Sequence, residues 1–459
     1  MAKSDLQFAG EFLVQQCKLM TTNGTTYDIR QLVQSINIYE DIFSTAVSGD
    51  ITIKDTNNMI MNGPIIGEEK LILKIQTPQK SPNQDTTIDY TETPLNVYRV
   101  NLVTGAGENA LLYSLNFTTQ EAMRNQVSRV SQSYKGQPSD IVEKILRDKN
   151  YLDSTRRYFA EETANHTKII FPNLKPFMCI NHLTKISNSK QYNQSPAYLF
   201  YETTRGFHFR SIDGLASQET KWEYEENIPN SLNEKGVVDV EKNLHTMNTF
   251  SVMPTRDTIY NMSEGFYSSK LRVHNIYSKT LKDVDFNYLD NFANDIHTDG
   301  TSKPIITESI DSQTGKRLSD HSETKLFVST TSGGKHFYES QDYPYQSDNL
   351  DNTLQRRTSR LRQIDKGIKV QLSAAGHTML QAGDVIQLKV GATSANTSEK
   401  YDMHHSGRYI LTTLRHEFNL TADPRHKLYM EACKDSVVDA LPSSGVQYQN
   451  NGSAERITL

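Results

Sequence analysis

The chain has 459 residues, and its 54 acidic against 49 basic side chains give a formal net charge of -5. That mild acidity argues against a whole-protein nucleic-acid binder, which would carry a basic excess, and the length predicts about three or four domains. The mean hydropathy of -0.61 is polar for a folded protein, but 23 tyrosines and 17 phenylalanines favour a β-rich protein with large subunit contacts.

The first 117 residues alternate apolar and polar side chains in the manner of strands. Period-two runs predict strands that are apolar on one face, and Asn62-Gly63-Pro64 marks a turn between them. Several such strands without an intervening helix predict a small barrel or sandwich. The alternating pairs and triplets are Ile36/Ile38, Ile51/Ile53, Leu71/Leu73/Ile75 and Tyr113/Leu115/Phe117.

Helical spacing begins after Thr118. Pro138 opens a predicted helix with apolar residues at helical spacing, and Pro176 opens a second. The runs 197–202 and 207–210 flank Thr203-Thr204-Arg205-Gly206 and predict a hairpin. Residues 118–235 are therefore interpreted as an α+β domain.

The next part of the chain is mixed in character. Strands are predicted within 236–290, and the polar stretch Asn291–Ser322 is predicted to be a long loop because it has little apolar surface to bury. A helix is predicted over 346–364, before a β-module that begins at Gly367. The apolar face of that helix consists of Leu350, Leu354, Leu361 and Ile364.

The two ends of the polypeptide and its cysteines indicate where the protein is made and folded. The first seven residues lack the apolar core of a signal peptide, and no apolar run is long enough to span a bilayer. We therefore expect synthesis and assembly in a cytoplasm, with no stable membrane insertion. Residues from Leu441 onward are interpreted as a flexible tail. The three scattered cysteines, Cys17, Cys179 and Cys433, are expected to be buried, reduced thiols.

One β-pattern occurs twice. Near the C-terminus, a glycine-led strand at Gly383–Val390 precedes strands at 407–418 and 426–435; near the N-terminus, Gly67–Ile75 precedes strands at 97–103 and 111–117. About 300 residues separate the copies, so they are not solenoid repeats. The pattern predicts two similar β-modules per chain, and three chains would then place six modules in a ring. Chance similarity between two alternating segments is the alternative.

Histidines near the C-terminus were the first candidates for a metal site. His404 and His405 are adjacent, with His416 and His426 downstream. Adjacent residues of a strand point to opposite faces, and no cysteine or carboxylate falls at a familiar ligand spacing. We predict no metal site and interpret His416 as a partly buried histidine with its hydrogen bonds satisfied.

The sequence carries no recognisable catalytic motif. It contains no glycine-flanked serine elbow, complete phosphate loop or HExxH helix. Ser332-Gly333-Gly334-Lys335 is interpreted as a hairpin turn, and the acid pairs Glu68-Glu69 and Glu225-Glu226 are adjacent residues rather than carboxylates facing each other across a cleft. We assign no catalytic, cofactor-binding or metal-binding residue, and no cofactor.

The strongest basic run lies on the predicted helix at 346–364. Its arginines, Arg356, Arg357, Arg360 and Arg362, are placed on the solvent side, opposite the leucines. A solvated face, or a subunit interface that pairs these arginines with acids, is preferred over a nucleic-acid contact.

The combination of motifs resembles the central hub proteins of contractile-tailed phage baseplates. The motifs are Gly376 with Met379–Ile386, Ser406–His416, Lys434-Asp435-Ser436 and, near the N-terminus, Asp50–Asp55 with Pro64–Glu69. The resemblance covers essentially the whole chain in order. It implies a mainly β fold with α+β insertions and two similar antiparallel, tube-like β-barrel domains.

The domain boundaries follow from the resemblance and the patterns together. Residues 1–117 form the first barrel domain and 118–235 the α+β domain. Residues 236–255 and 365–440 form the second barrel domain. Residues 256–364 form an inserted domain with the long polar loop and the helix, and 441–459 the tail.

The resemblance implies a structural role without enzymatic activity. It implies a homotrimer whose pseudo-six-fold ring joins the six-fold tail tube to a trimeric spike protein and surrounds the channel for the tape measure protein and the genome. Expected partners are therefore further copies of the chain, the spike, tail tube or tube-initiator proteins, and wedge or other baseplate proteins through 256–364. DNA is expected only as transient cargo, and the location is the virion tail baseplate.

Two other functions remain open. A peptidoglycan-degrading tail enzyme would fit an acid-rich, tyrosine-rich β protein with an extra region. A spike component of a related contractile injection or secretion system would share the hub architecture.

Overall fold

The computed structural model describes residues 6–63, 65–78, 87–106, 110–226, 239–253, 257–276, 279–304, 315–331, 350–392, 401–421 and 423–438. The tail 441–459 and the Ser332-Gly333-Gly334-Lys335 segment lie outside these residues. Within them, no helix is long and apolar enough to cross a membrane.

The first barrel is a six-stranded sheet curled around one apolar core. Its alternating residues, such as Ile51 and Ile53, point inward and are fully buried, because successive side chains of a strand face opposite sides. The elements are β1 (Leu13–Met20), the short β2 (Thr26–Asp28), β3 (Val33–Asp41), β4 (Ser48–Asp55), α1 (Met59–Asn62), β5 (Lys70–Gln76), β6 (Thr87–Gly105) and β7 (Leu111–Thr118). The strand order is β3-β4-β7-β6-β5-β1, with β2 beyond β1.

The α+β domain follows as predicted, including the helices that start at Pro138 and Pro176 and the hairpin. A proline in the first turn of each helix costs no hydrogen bond, and Ile141 and Ile145 turn one face into the domain core. The elements are α2 (Gln120–Val127), β8 (Val130–Gly136), α3 (Pro138–Arg147), β9 (Arg157–Ala160), β10 (Thr167–Leu174), α4 (Pro176–Ile186), β11 (Tyr198–Thr203), β12 (Gly206–Ser211) and α5 (Ile212–Ala216).

The second barrel is assembled from strands on both sides of the inserted domain. Its elements are β13 (Trp222–Glu226), α6 (Val240–Leu244) and β14 (Thr246–Met253), then, after the insertion, β18 (Ile368–Ala375), β19 (Val385–Lys389), β20 (Gly407–Asn419) and β21 (Arg425–Lys434). The order β13-β14-β18-β21-β20-β19 closes on itself, because β19 also pairs with β13. The predicted fold class of a mainly β chain with two similar barrels is confirmed.

Strand β13 shows how the second barrel closes. Trp222–Glu226 falls within residues 118–235, the range predicted for the α+β domain, but this strand pairs in parallel with β14 and β19. The barrel sheet therefore starts before residue 236, and this one strand departs from the expected antiparallel arrangement. The other domain boundaries stay predictions.

The insertion between β14 and β18 contains a small sheet and a long helix. Strand β15 lies between antiparallel β16 and parallel β17. After the helix Tyr288–Asn291 ends, the described parts of the polar stretch 291–322 contain short 3-10 turns, such as Phe292–Asn294, and one isolated bridge from Ser302 to Val437, as a loop would. The elements are α7 (Thr258–Ser263), β15 (Ser268–Asn275), β16 (Thr280–Asn287), α8 (Tyr288–Asn291), β17 (Leu326–Thr331) and α9 (Leu350–Lys366).

Helix α9 confirms the helix predicted over 346–364 but corrects its orientation. Arg360 is fully buried, and Arg357 donates to the backbone carbonyls of Pro196 and Tyr198. The interpretation of the arginine face as solvated is therefore wrong. Acids and carbonyls elsewhere in the same chain, including Asp213, Asp295 and Asp435, accept hydrogen bonds from these arginines. Helical spacing alone therefore assigned this face to the wrong side.

Candidate functional site

The two barrels share one strand order. Reading outward from β3, the first barrel runs β3-β4-β7-β6-β5, and the second runs β14-β18-β21-β20-β19 in the same chain order. The sixth strand lies beside β5 or β19 in each case, but β1 is antiparallel to its neighbour whereas β13 is parallel. Five strands of each barrel therefore correspond one to one.

The correspondence between the barrels extends to the β-bulges that interrupt their ladders. The β6–β7 ladder shifts register between Val97 and Arg99, and the β20–β21 ladder shifts between Leu411 and Thr413. The β3–β4 and β14–β18 ladders likewise share one shift. A β-bulge is a local, position-specific feature, so two shared bulges argue for a duplicated barrel rather than chance similarity of strands.

The glycine-led motifs that first indicated the duplication precede equivalent strands. Gly67 lies before β5 and Gly383 before β19, with φ of 97° and 88°. Only glycine adopts this region without strain, and a Cβ on Gly383 would lie 2.2 Å from the Tyr201 hydroxyl. A glycine with positive φ therefore leads into the equivalent strand in both barrels.

A continuous seam joins the two barrels. The second half of β20, Thr413–Asn419, pairs with β21 on one edge and antiparallel with Ser35–Asp41 of β3 on the other. Backbone hydrogen bonds from Ile42 to Thr412 and from Leu420 to Gln34 extend the seam at both ends. Each barrel thus satisfies an open sheet edge of the other.

Polar side chains cover one face of this seam. The Arg415 guanidinium donates to Asn37 Oδ1 at 3.0 Å and lies over the rings of Tyr39 and Tyr429. Asn37 and Tyr39 both donate to Asp50 at 2.9 Å. Burial and the Asp50 carboxylate raise the pKa of Tyr39 to about 12, so the phenol stays a donor.

Glu40 connects three domains at one point. It lies on β3, and its carboxylate accepts the backbone N–H of Thr204 at 2.6 Å and of Ala382 at 2.7 Å. Those donors belong to the α+β domain and to the second barrel. Burial raises the pKa of Glu40, and the two backbone donors oppose that shift. The side chain fixes the position of both neighbours against the first barrel.

A second buried carboxylate holds the α+β domain against the first barrel. Glu202 accepts hydrogen bonds from the Val47 backbone at 3.1 Å and the Thr119 hydroxyl at 2.8 Å. Arg156 lies 3.6 Å from its other oxygen and over the ring of Tyr90. Burial raises the pKa of Glu202 to about 8, although Arg156 opposes the shift.

The buried side chain of Arg360 holds helix α9 against neighbouring parts of the chain. It donates to Asp213 at 2.9 Å and also to Asp435 and the carbonyl of Ile296. Burial opposes ionisation of Asp435, but Arg360 and His297 outweigh it and hold its pKa well below the usual range. One arginine therefore links the α+β domain, the polar stretch after α8 and Asp435, the residue that follows the last strand of the second barrel.

The histidines do not form a metal site in the described part of the chain. No group of three or more potential ligands occurs there. His416 Nδ1 and His426 Nε2 are 3.1 Å apart and fully buried, whereas His405 pairs with Asp402 at 2.6 Å. His416 is more deeply buried than predicted, and burial lowers its pKa to about 3.

Comparison with known proteins finds similarity at the level of the fold. No protein family description and no curated protein matches the sequence. Among solved structures, the tail protein from Neisseria meningitidis MC58 has a TM-score of 0.51 at 11% identity, over 92% of this chain and 97% of that one. The 43 kDa tail protein of prophage MuSo2 from Shewanella oneidensis has 0.49 at 9% identity, over 92% and 99%.

A third similar structure is an E. coli protein described as a component of the type VI secretion system with structural similarity to T4 bacteriophage tail proteins. Its TM-score is 0.40 at 9% identity, over 92% of this chain and 76% of that one. The similarity to the Neisseria meningitidis tail protein, with a TM-score above 0.5, shows that the chain shares the fold of that protein. The resemblance drawn from the sequence motifs is confirmed at that level.

Proposed function

We propose that the protein is a structural hub of a contractile-tail baseplate, in which three copies form a ring of six barrels. The observation that carries the proposal is the duplicated barrel, with the same strand order and the same bulges twice in one chain. A chain with two equivalent modules presents six equivalent positions in a three-fold assembly. Such a ring can contact a six-fold tube on one side and a three-fold spike on the other.

The structure supports this proposal through the way the two barrels are fixed. A symmetry adaptor must hold its two modules in one relative orientation, and the β20–β3 seam with Glu40 and Arg360 does so through buried contacts. We propose a channel through the ring centre for the tape measure protein and DNA, without a catalytic role for this chain.

The inserted domain is the proposed contact for other baseplate proteins. Its sheet presents large apolar side chains to solvent, including Leu281, Leu326 and Val328 at 61%, 46% and 69% exposure. Exposed apolar patches commonly mark interaction surfaces. Wedge proteins are the proposed partners of this face, and the spike and tail tube those of the two ring faces.

Electron microscopy of the purified protein tests the proposal. We expect class averages with six lobes around a central opening and three-fold symmetry. Single compact particles at micromolar concentration, without any ring, would contradict the proposal.

A further inference from the structure

The seam inside the chain joins two strand edges, and each of these edges has an equivalent in the other barrel. At the seam, an outer edge of the second barrel, Thr413–Asn419 of β20, pairs with β3 of the first barrel. The equivalent of β20 in the first barrel is β6, and the equivalent of β3 in the second barrel is β14. These two strands end the run β14-β18-β21-β20-β3-β4-β7-β6.

Both equivalent edges lack a partner among the described strands. In β6, residues 99–101 and 104–105 pair only with β7, because the β5 ladder ends at Asn96; the β7 ladder shifts register between Asn101 and Thr104. Residues 249–253 of β14 pair only with β18, because the β13 ladder ends at Met247. Unpaired backbone donors and acceptors on such an edge favour pairing with another strand.

Side chains on the unpaired edges are also more exposed than those on the paired edge. Ile38 of β3 is fully buried and belongs to the apolar core of the first barrel, whereas its equivalent on β14, Val252, is 44% exposed. On β6, Val103 is 52% exposed. The second barrel therefore leaves open the edge that is covered in the first barrel.

We propose that β6 of one copy pairs antiparallel with β14 of the next copy, in the register of the internal seam. This inference rests on the proposed ring and names the surfaces that close it. The two edges lie at opposite ends of one run of strands, so the contact is head-to-tail, and such contacts close into rings when the rotation allows. A second copy of this chain is the occupant because the internal seam already pairs the equivalents of these two edges, β20 and β3.

The register follows from the ladders. Asn101 corresponds to Arg415, because each occupies the third paired position after the shared bulge. Met253 corresponds to Tyr39 through the β14–β18 and β3–β4 ladders. Arg415 pairs with Tyr39, so Asn101 of one copy faces Met253 of the next.

The geometry of this pair suits a cysteine cross-link. In the internal seam, the hydrogen bonds from Ile42 to Thr412 and from Leu420 to Gln34 mark the bonded positions. The alternation of bonded and non-bonded pairs makes Arg415–Tyr39 a non-bonded pair, with Cα atoms about 4.5 Å apart. That spacing lies within the range of disulfides. The native cysteines are fully buried and do not compete.

The test is oxidation of the double variant N101C/M253C, followed by denaturing electrophoresis without reductant. We expect covalent dimers and trimers. The matched internal control, Y39C/R415C, should close a disulfide within one chain, and the displaced pair N101C/T249C should give far less cross-linking.

Light scattering on the same reduced samples tests the proposed ring separately from the proposed strand register. A three-subunit mass without cross-linking of N101C/M253C, while the internal control closes, overturns the register but leaves the ring intact. A one-subunit mass without cross-linking overturns both.

A proline variant tests the edge without relying on cysteines. Ile38 occupies a bonded position of the seam, so the N–H of its equivalent Val252 points away from β18. V252P should therefore remove an intermolecular hydrogen bond while sparing the β18 ladder, and the mass should fall from three subunits to one. V252A keeps the N–H and should stay trimeric. A folded V252P that remains trimeric would overturn the inference.

Discussion

Glu69 and Asp384 occupy the same position in the two barrels. The Glu69 carboxylate accepts the N–H of Ile66, three residues earlier, and the Asp384 carboxylate accepts that of Gln381. Their own carbonyls accept the N–H groups of Val97 and Leu411 on equivalent strands. A side-chain role preserved in both copies shows that the duplication extends to the hydrogen bonds that define each turn.

The first prediction concerns this pair. Glu69→Ala and Asp384→Ala each remove the acceptor of a partly buried backbone hydrogen bond, at a cost of about 1–3 kcal/mol in the free energy of unfolding. Asp384→Ala should cost more, because it also removes a salt bridge to Lys221 at 2.8 Å. Denaturant unfolding measures both, and Glu68→Ala, at an exposed neighbour, should change little. Equal values for all three variants would disprove the assignment.

The second prediction concerns the three-domain junction. Glu40→Ala leaves the N–H groups of Thr204 and Ala382 without their acceptor, which should lower the free energy of unfolding by about 2–4 kcal/mol. Because these donors lie in different domains, limited proteolysis should also become faster. Glu162→Ala, at an exposed carboxylate paired with Lys190, is the control. Protease resistance like that of the control would contradict the role of Glu40.

The third prediction concerns the buried arginine of α9. Arg360→Ala leaves Asp213 and Asp435 buried without their cation, and such a change costs about 3–5 kcal/mol. Arg362→Ala is the matched control on the same helix, since its partner Glu264 is partly exposed and such pairs contribute about 1 kcal/mol or less. Thermal unfolding should separate the two variants clearly. A similar loss for both would show that Arg360 is not the link between these domains.

The fourth prediction concerns pH. His377 is fully buried; its Nδ1 accepts the Met379 N–H, so its Nε2 carries the proton and bonds Tyr224 at 3.2 Å. Burial lowers the pKa of His377 to about 3, against about 6.5 in the unfolded chain. The unfolded state therefore binds more protons between these values. The contribution of His377 to the free energy of unfolding is therefore fully present above pH 6.5 and is lost as the pH falls towards 3.

Removal of this histidine should flatten the pH profile. For His377→Gln, the free energy of unfolding should fall less steeply from pH 6 to pH 4, by up to about 1.4 kcal/mol per pH unit. Urea unfolding at several pH values measures the slope. His274→Gln, at an exposed position on β15, is the control and should keep the wild-type slope. An unchanged slope in His377→Gln would refute the prediction.

The strands of both barrels could be predicted because their signal is local. Alternation at Ile51 and Ile53 and the glycine-led starts at Gly67 and Gly383 depend only on the pleat and on backbone sterics. Pro138 and Pro176 marked helix starts for an equally local reason. The duplication could therefore be recognised without the structure.

The parts that could not be predicted depend on contacts distant in sequence. Trp222–Glu226 belongs to the second barrel because it pairs with β14 and with β19, which lies more than 150 residues later. Arg360 is buried because Asp213 and Asp435 neutralise it, and helical spacing alone does not show which face meets such acids. Glu40 gave no signal, because both of its partners are backbone N–H groups.

The mass of the isolated particle in solution tests the central claim most directly. Light scattering at micromolar concentration should give about 157 kDa, three times the 52.2 kDa of one chain. That result would support a ring of three chains and six equivalent barrels. A mass of one or two subunits across the accessible concentration range would contradict it.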